Sequence, residues 1–296
     1  MTTFLLLTIT GLGLAGLYFL IASGLSLIYG LMDVLNFAHA AFLTIGAYTS
    51  WVVASQMSGG IPVTVVFLVA MVAGILVGTL SAVLMETVLV RRLYGEHVGQ
   101  ILLTVGLLLA ITALTRAIFG SDPLTMVVVP PWMNEVTVVF GAAVSNSRFV
   151  VIAAALLVYI GLMAFLKHTK YGLVIRAGVE NRSMVSALGI NVGHAFTLVF
   201  AIGGALASLA GILTGAFFGT ITADRGTSLL IFAFIVVIVG GLGSIRGSAL
   251  AALVVGLLQQ YANYYGIIGM GDLIVVALLA VVLLLRPQGL LGRAVA

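Results

Sequence analysis

No cysteine occurs in the 296-residue chain, so neither a disulfide framework nor a thiolate metal site is available to it. Charge is almost as scarce: 7% of residues are Asp, Glu, Lys or Arg, against about 25% in an ordinary soluble domain. Twelve cations and eight carboxylates cannot furnish the water-facing surface of a globule this large. Lysine is found only at positions 167 and 170, so no G-x-x-x-x-G-K-[ST] loop exists to cradle ATP phosphates. There is no H-E-x-x-H and no G-x-S-x-G, and four scattered histidines have no recognisable ligand spacing; an enzyme reading has nothing to stand on. The net charge of +4 is too small and too dispersed to point to nucleic acid. The first four residues hold no Lys or Arg of the kind that opens a signal peptide, so a cleaved leader is not expected.

Apolar residues fill the space these absences leave. The chain is 62% hydrophobic with a mean hydropathy of +1.32. Residues 1–32, 34–85, 183–223 and 247–271 include runs without an acidic or basic charge, whereas roughly 20 apolar residues span a bilayer core as a helix. Long continuous runs favour a helical bundle over a barrel of short alternating strands. The expectation is an all-α polytopic membrane bundle forming one domain over 1–296. Crossings are predicted near 4–30, 34–56, 63–90, 98–119, 149–167, 195–218, 227–244, 248–265 and 272–286, about eight or nine in all. Residues 91–97, 120–148 and 168–194 read as the principal polar connections. Pro123, Pro130 and Pro131 argue against a continuous helix in 120–148, and Trp132 suits a membrane boundary.

Lys and Arg favour cytoplasmic loops. Placing 91–97 and 168–194 inside, with 120–148 outside, puts Arg91, Arg92, Lys167, Lys170, Arg176, Arg182, Arg246, Arg286 and Arg293 on or near the cytoplasmic side. Arg116, Arg148 and Arg225 are left outside. The C-terminus is then cytoplasmic and the N-terminus outside, unless a re-entrant segment near 31–41 reverses the parity.

Small residues recur every fourth position at Gly203, Ala207, Gly211, Gly215 and Gly219, at Gly74, Gly78 and Ala82, and at Ser248, Ala252 and Gly256. Such stripes let helix backbones approach closely inside a membrane. Two glycine-bearing polar hinges interrupt the apolar runs, "IYGLMDVLNFAHA" at 28–40 and "VGGLGSIRGSA" at 239–249. Paired interruptions of this kind point toward a transport pathway.

Asp33, Asn36 and His39 fall three apart, within about 120° on one helical face if the helix is continuous. Intramembrane polar groups of this sort face a bundle interior or a watery cavity. Two roles stay open for them: a cap and hinge at the start of a helix, in which Asp33 or Asn36 accepts backbone N–H bonds, or a direct part in a pathway. Ser244 has no sequence-evident base and reads first as a turn residue, with the pathway hinge as its other role. Residues 170–191 mix Arg176, Glu180, Asn181 and Arg182 with Ile175, Val179, Met184, Val185 and Leu188, and Gly189 ends the helical pattern. An amphipathic helix there would either dock a partner or lie on the headgroups, and periodicity leaves the two even. Apart from Asp33 and Glu86, carboxylates keep to loops and span ends, which weakens a proton-driven relay.

Four ordered stretches carry a family resemblance. "GLSLIYGLMDVLNFAHAAFLTIGAY" resembles the amino-terminal signature of branched-chain amino acid ABC permeases of the LivH type. "RAGVENRSMVSALGINVGHAFTLVFAIGGALASLAGILTGAF" is similar to that family's cytoplasmic loop and following helix, and "GGLGSIRGSALAALVVGLLQQ" and "RPQGLLGR" to its later signatures. The likeness runs from about 11 to 293. One departure is Ala40, where the family pattern N-F-A-H-G ends in glycine.

The resemblance implies a fold of the type II ABC importer kind in a bacterial or archaeal cytoplasmic membrane. It also implies a second related permease, two cytoplasmic ATP-binding subunits, and a soluble substrate-binding protein on the outer face. It turns 170–191 into a coupling helix, with Arg176, Glu180, Asn181, Ala187, Gly189 and Asn191 at the matching positions. Arg176 and Glu180 are then expected to make charged contacts with the ATPase while Met184, Val185 and Leu188 pack into its groove. No bound cofactor is implied. Branched-chain amino acids are the expected solute, with urea or short amides as the alternative within the family, and a stand-alone secondary transporter as the alternative outside it.

Overall fold

The computed structural model describes residues 2–33, 35–57, 59–126, 129–180, 184–185, 189, 192–267 and 269–292. The uncharged amino-terminal run forms one helix, α1 (Thr2–Met32), about 46 Å long at 1.5 Å per residue. It ends where Asp33 takes a left-handed φ of 57°, a conformation that Asp tolerates better than most residues. α2 (His39–Gln56) begins well inside the bundle. A crossing helix was expected from residue 34. The helix starts five residues later because residues 35–38 run as an irregular segment and a turn.

α3 (Val63–Val88) runs into a 3-10 turn, Val90–Leu93, and α4 (His97–Phe119) follows after Gly95 at φ 93°. The 120–148 connection is more ordered than a loop. It holds β1 (Leu124–Thr125), a short helix α5 (Pro131–Asn134), and a hairpin of β2 (Val136–Val139) and β3 (Ala142–Ser145). The hairpin pairs Val136 with Ser145 and Val139 with Ala142, and turns through Phe140 and Gly141, both at positive φ. These short strands depart from the all-α expectation, because "VTVVFGAAVS" is β-branched around a Gly-containing turn and stands outside the helices. α6 (Asn146–His168), α7 (Lys170–Glu180) and α8 (Val192–Phe218) follow. β4 (Thr220–Ile221) pairs antiparallel with β1. α9 (Arg225–Gly240), α10 (Ile245–Tyr265) and α11 (Met270–Leu285) complete the chain.

Five helices among the described residues are long and apolar enough to cross a membrane: α1, α3 with its 3-10 extension, α4, α6 and α8. The α9–α10 pair, bent by 119° at its hinge, makes a sixth if counted as one span. α9 and α11 have 16 residues each and α2 has 18, short of the roughly 20 that a full crossing needs.

Glycine sets the distance between α1, α2, α3, α8 and α10. A Cβ on Gly78 would lie 1.7 Å from Ser208 Oγ, and one on Gly211 would lie 2.2 Å from the Leu43 carbonyl. A Cβ on Gly256 would meet the Ala15 backbone at 2.5 Å. The stripes read from the sequence are therefore contact surfaces, where dispersion between closely approaching backbones holds the bundle together. The two chain ends lie at opposite ends of the bundle. The Thr2 end meets the hairpin turn at Gly141, while Leu290 and Leu291 donate backbone hydrogen bonds to Val239 and Gly240 beside the α9–α10 hinge.

Candidate functional site

Asp33, Asn36 and His39 do not share a helical face. Asp33 is exposed at the end of α1, Asn36 is buried at the start of the turn before α2, and His39 is the first residue of α2. The helix breaks between them because the return brings His39 back alongside the middle of α1. There its Nε2 donates to the Ile21 carbonyl at 3.1 Å. A carbonyl can only accept, so Nε2 carries the proton and Nδ1 presents a lone pair. Among the described residues that Nδ1 has no hydrogen-bond partner, and neither does the amide oxygen or nitrogen of Asn36, which is 3% exposed. An unsatisfied buried polar group costs about 1–3 kcal/mol, so this cluster is an expensive arrangement. The expected side-chain cap is not formed either. Ala38 occupies the N-cap of α2, and Asn36 contributes only its backbone carbonyl to the His39 N–H.

Ala40 stands where the family pattern carries glycine, and the close approach is supplied from the other side. A Cβ on Gly226 of α9 would lie 2.6 Å from the Ala40 carbonyl oxygen. Phe37 packs edge-on against Phe234 at 4.9 Å, fixing the turn before α2 to the same helix.

Two residues from separate parts of the sequence, Asp33 and Ser244, line one cavity of about 1240 Å³ with Arg176 of α7. Its floor is the last third of α1, and its walls are α6, α7, the α9–α10 hinge and the segment after α11. Ser244 is the N-cap of α10 and accepts from the Gly247 N–H at 3.1 Å, so the turn role and the cavity position coincide.

α7 is fixed to this end by its own small residues. Thr169 accepts from the Gly172 N–H at 2.9 Å, and a Cβ on Gly172 would strike the Phe165 carbonyl at 2.4 Å, which makes the α6–α7 junction tight. Gly172, Ile175 and Gly178, three apart, form its buried stripe, and a Cβ on Gly178 would meet Leu31 at 2.7 Å. Tyr171, Leu173 and Arg176 remain exposed. Beyond α7, Met184 is 63% exposed, whereas Val185 is 4% exposed and belongs to the chain's own core. Gly189 has φ 76°, the left-handed conformation of a helix-ending glycine. Asn181, Ala187, Leu188 and Asn191 lie outside the described residues, as does the side chain of Glu180.

Sequence reasoning set Glu86 apart from the loop carboxylates but gave it no partners. It is fully buried, and Arg91 clasps it with two hydrogen bonds of 3.1 and 3.0 Å. The Tyr94 hydroxyl donates to it at 2.5 Å and the Thr197 hydroxyl at 2.8 Å. Burial, reinforced by the Glu86 carboxylate, holds the Tyr94 phenol well above its ordinary pKa. The cluster ties α3 and its 3-10 turn to the first turns of α8, the helix into which the 170–191 segment leads. A lone glutamate after a long run without acidic or basic charge, followed by arginine five residues on, was the available signal.

A bundle of long apolar helices, broken by polar hinges and carrying an amphipathic helix at one end, is the build of a multi-pass membrane protein. Residues 7–283 match the profile of a family described as the permease component of the branched-chain amino acid transport system. The chain belongs to that family, the branched-chain amino acid permeases of ABC transporters. It is 30% identical to the high-affinity branched-chain amino acid transport system permease protein LivH of Escherichia coli K12 over 296 residues, covering 96% of this chain and 94% of the relative. It is 32% identical to BraD of Pseudomonas aeruginosa with the same coverage, and 29% identical to a probable LivH of Methanocaldococcus jannaschii over 94% of this chain and 89% of that one. No solved structure matches the chain.

Proposed function

We propose that the chain is the membrane-spanning subunit of an ATP-driven importer for branched-chain amino acids, with a type II importer architecture. It would work beside a second related permease, two cytoplasmic ATP-binding subunits and a substrate-binding protein on the outer face. In this reading the chain makes nine passages: the short helices α2, α9 and α11 each complete a passage with the irregular segment or hinge beside it. The Thr2 end and the 120–148 hairpin face outward; α7 and the carboxyl-terminal segment face the cytoplasm of a bacterial or archaeal cell.

The observation that carries the reading is the position of α7. It forms a wall of the cavity that Asp33 and Ser244 line, so a force on α7 acts directly on the hinge end of both interrupted passages. ATPase closure would push on Arg176, Glu180, Asn181, Met184, Ala187, Leu188, Gly189 and Asn191. Val185, held in the chain's own core, would transmit the push inward. The bundle halves would then rock between outward and inward openings. Asn36 and His39, with unsatisfied donor and acceptor atoms at mid-bundle, would meet the polar end of a zwitterion, while Leu, Val and Phe side chains accommodate its branched aliphatic end.

The reading is tested with the complete importer in proteoliposomes. Glu180→Arg is expected to abolish ATP-driven leucine uptake while leaving substrate-binding-protein affinity unchanged. Undiminished uptake and ATPase stimulation would remove α7 from coupling. Uptake by the single chain under an ion gradient without ATP would favour a secondary transporter, and receptor binding of urea or short amides in preference to leucine would change the solute.

A further inference from the structure

The cavity at the α7 end is larger than the proposed solute needs. Its volume of about 1240 Å³ exceeds the roughly 300–1,000 Å³ of a small-molecule pocket. Its two parts also differ in chemistry. Leu27, Met163 and Ile238 contribute to apolar walls, while Lys167, Arg176 and Arg246 bring three cations against the single carboxylate of Asp33. Among the described residues the ion pairs are Glu86–Arg91 and Asp224–Arg116, and none of these four charged groups is in one. The apolar part is continuous with the outer surface of α6. Leu156 and Ile160 are exposed there, and Met163 extends the same stripe at i, i+4 and i+7 into the cavity.

We propose that this cavity is a binding site for an anionic phospholipid of the leaflet at the α7 end, its phosphate held by Lys167, Arg176 and Arg246 and an acyl chain laid along the α6 stripe. The charge excess selects a negative headgroup, and apolar walls leading to the lateral surface select an amphiphile over a free anion. Basic pockets between membrane helices bind anionic headgroups by this combination, each cation near the surface contributing about a five-fold change in affinity. The proposal needs only a chain embedded in a bilayer; it shares Arg176 with the coupling reading, so its test substitutes Lys167 and Arg246 and uses the single chain without ATPase.

Native mass spectrometry of the purified full-length chain tests it, with dioleoyl phosphatidylglycerol, dioleoyl phosphatidylcholine and inorganic phosphate as probes. Phosphatidylglycerol is expected to be retained at least ten-fold more strongly than phosphatidylcholine. Lys167→Gln with Arg246→Gln should weaken that retention about 25-fold, two cations at five-fold each. Met163→Trp, which fills the apolar part and leaves the charges, should weaken phosphatidylglycerol without changing phosphate binding, and it keeps the test open if the double variant fails to fold. Equal retention of the two lipids would overturn the proposal. So would phosphate competing as well as the lipid, which would mean an anion site alone. Loss of the lipid when the second permease and ATPases assemble on the chain would show that a protein segment fills the cavity.

Discussion

Glu86 and Asn36 are both buried polar side chains in the same apolar bundle, and the protein treats them in opposite ways. Four hydrogen bonds from three residues surround the Glu86 carboxylate. The Asn36 amide, at 3% exposure, receives none among the described residues. A fully satisfied buried charge acts as a rivet, and here it fastens α3 to α8. An unsatisfied amide adds no hydrogen bond to hold the fold, and under the proposed function it is the group that meets the solute.

The largest effect is expected where the rivet is removed. Glu86→Leu should destabilise the purified chain by about 2 kcal/mol, below the roughly 3–5 kcal/mol of a fully buried broken pair, because Arg91 is 44% exposed and can turn to water. Thermal unfolding in detergent measures it, and an unchanged midpoint would end the contrast with Asn36. Asn36→Leu should move the other way. Stability should hold or rise by about 1 kcal/mol as an unsatisfied amide is removed, while uptake by the assembled importer falls at least ten-fold. A destabilised Asn36→Leu chain with normal uptake would reverse the two assignments. Tyr94→Phe, which deletes one of the Glu86 hydrogen bonds, should cost about 1 kcal/mol and sharpen the estimate of how cooperative the rivet is.

The smallest effect lies outside both sites. Phe140, 88% exposed, adopts φ 47° in the turn of the β2–β3 hairpin, a conformation that Asn accepts more readily. Phe140→Asn should leave uptake intact and raise stability by about 0.5 kcal/mol. A larger gain would mean that strain outside the bundle matters as much as the buried polar clusters.

Much of the bundle was legible because its signals are local and repeated. Long apolar runs place α1, α3, α4, α6 and α8, and small residues every fourth position mark packing faces of α3, α8 and α10. The tight glycine contacts agree with what the pattern asks of them. The hinge at 31–39 was legible as polar but not as broken. Three-residue spacing fits a helical face equally well, and only the His39 contact with Ile21 shows that the chain turns back. The Glu86 cluster was hidden for a related reason, since Thr197 is 111 residues away in the sequence.

By itself the sequence determined that the chain lives in a bilayer, that it has no G-x-x-x-x-G-K-[ST] loop, and which family it resembles. Composition, missing motifs and ordered signatures are properties of the string and need no coordinates. The tertiary structure decided which polar residues are satisfied and which are left open, and that Asp33, Arg176 and Ser244 line one cavity although they stand 143 and 68 positions apart. Satisfaction and proximity depend on how helices cross and where they break. In a membrane, that geometry comes from the fit of one backbone against another.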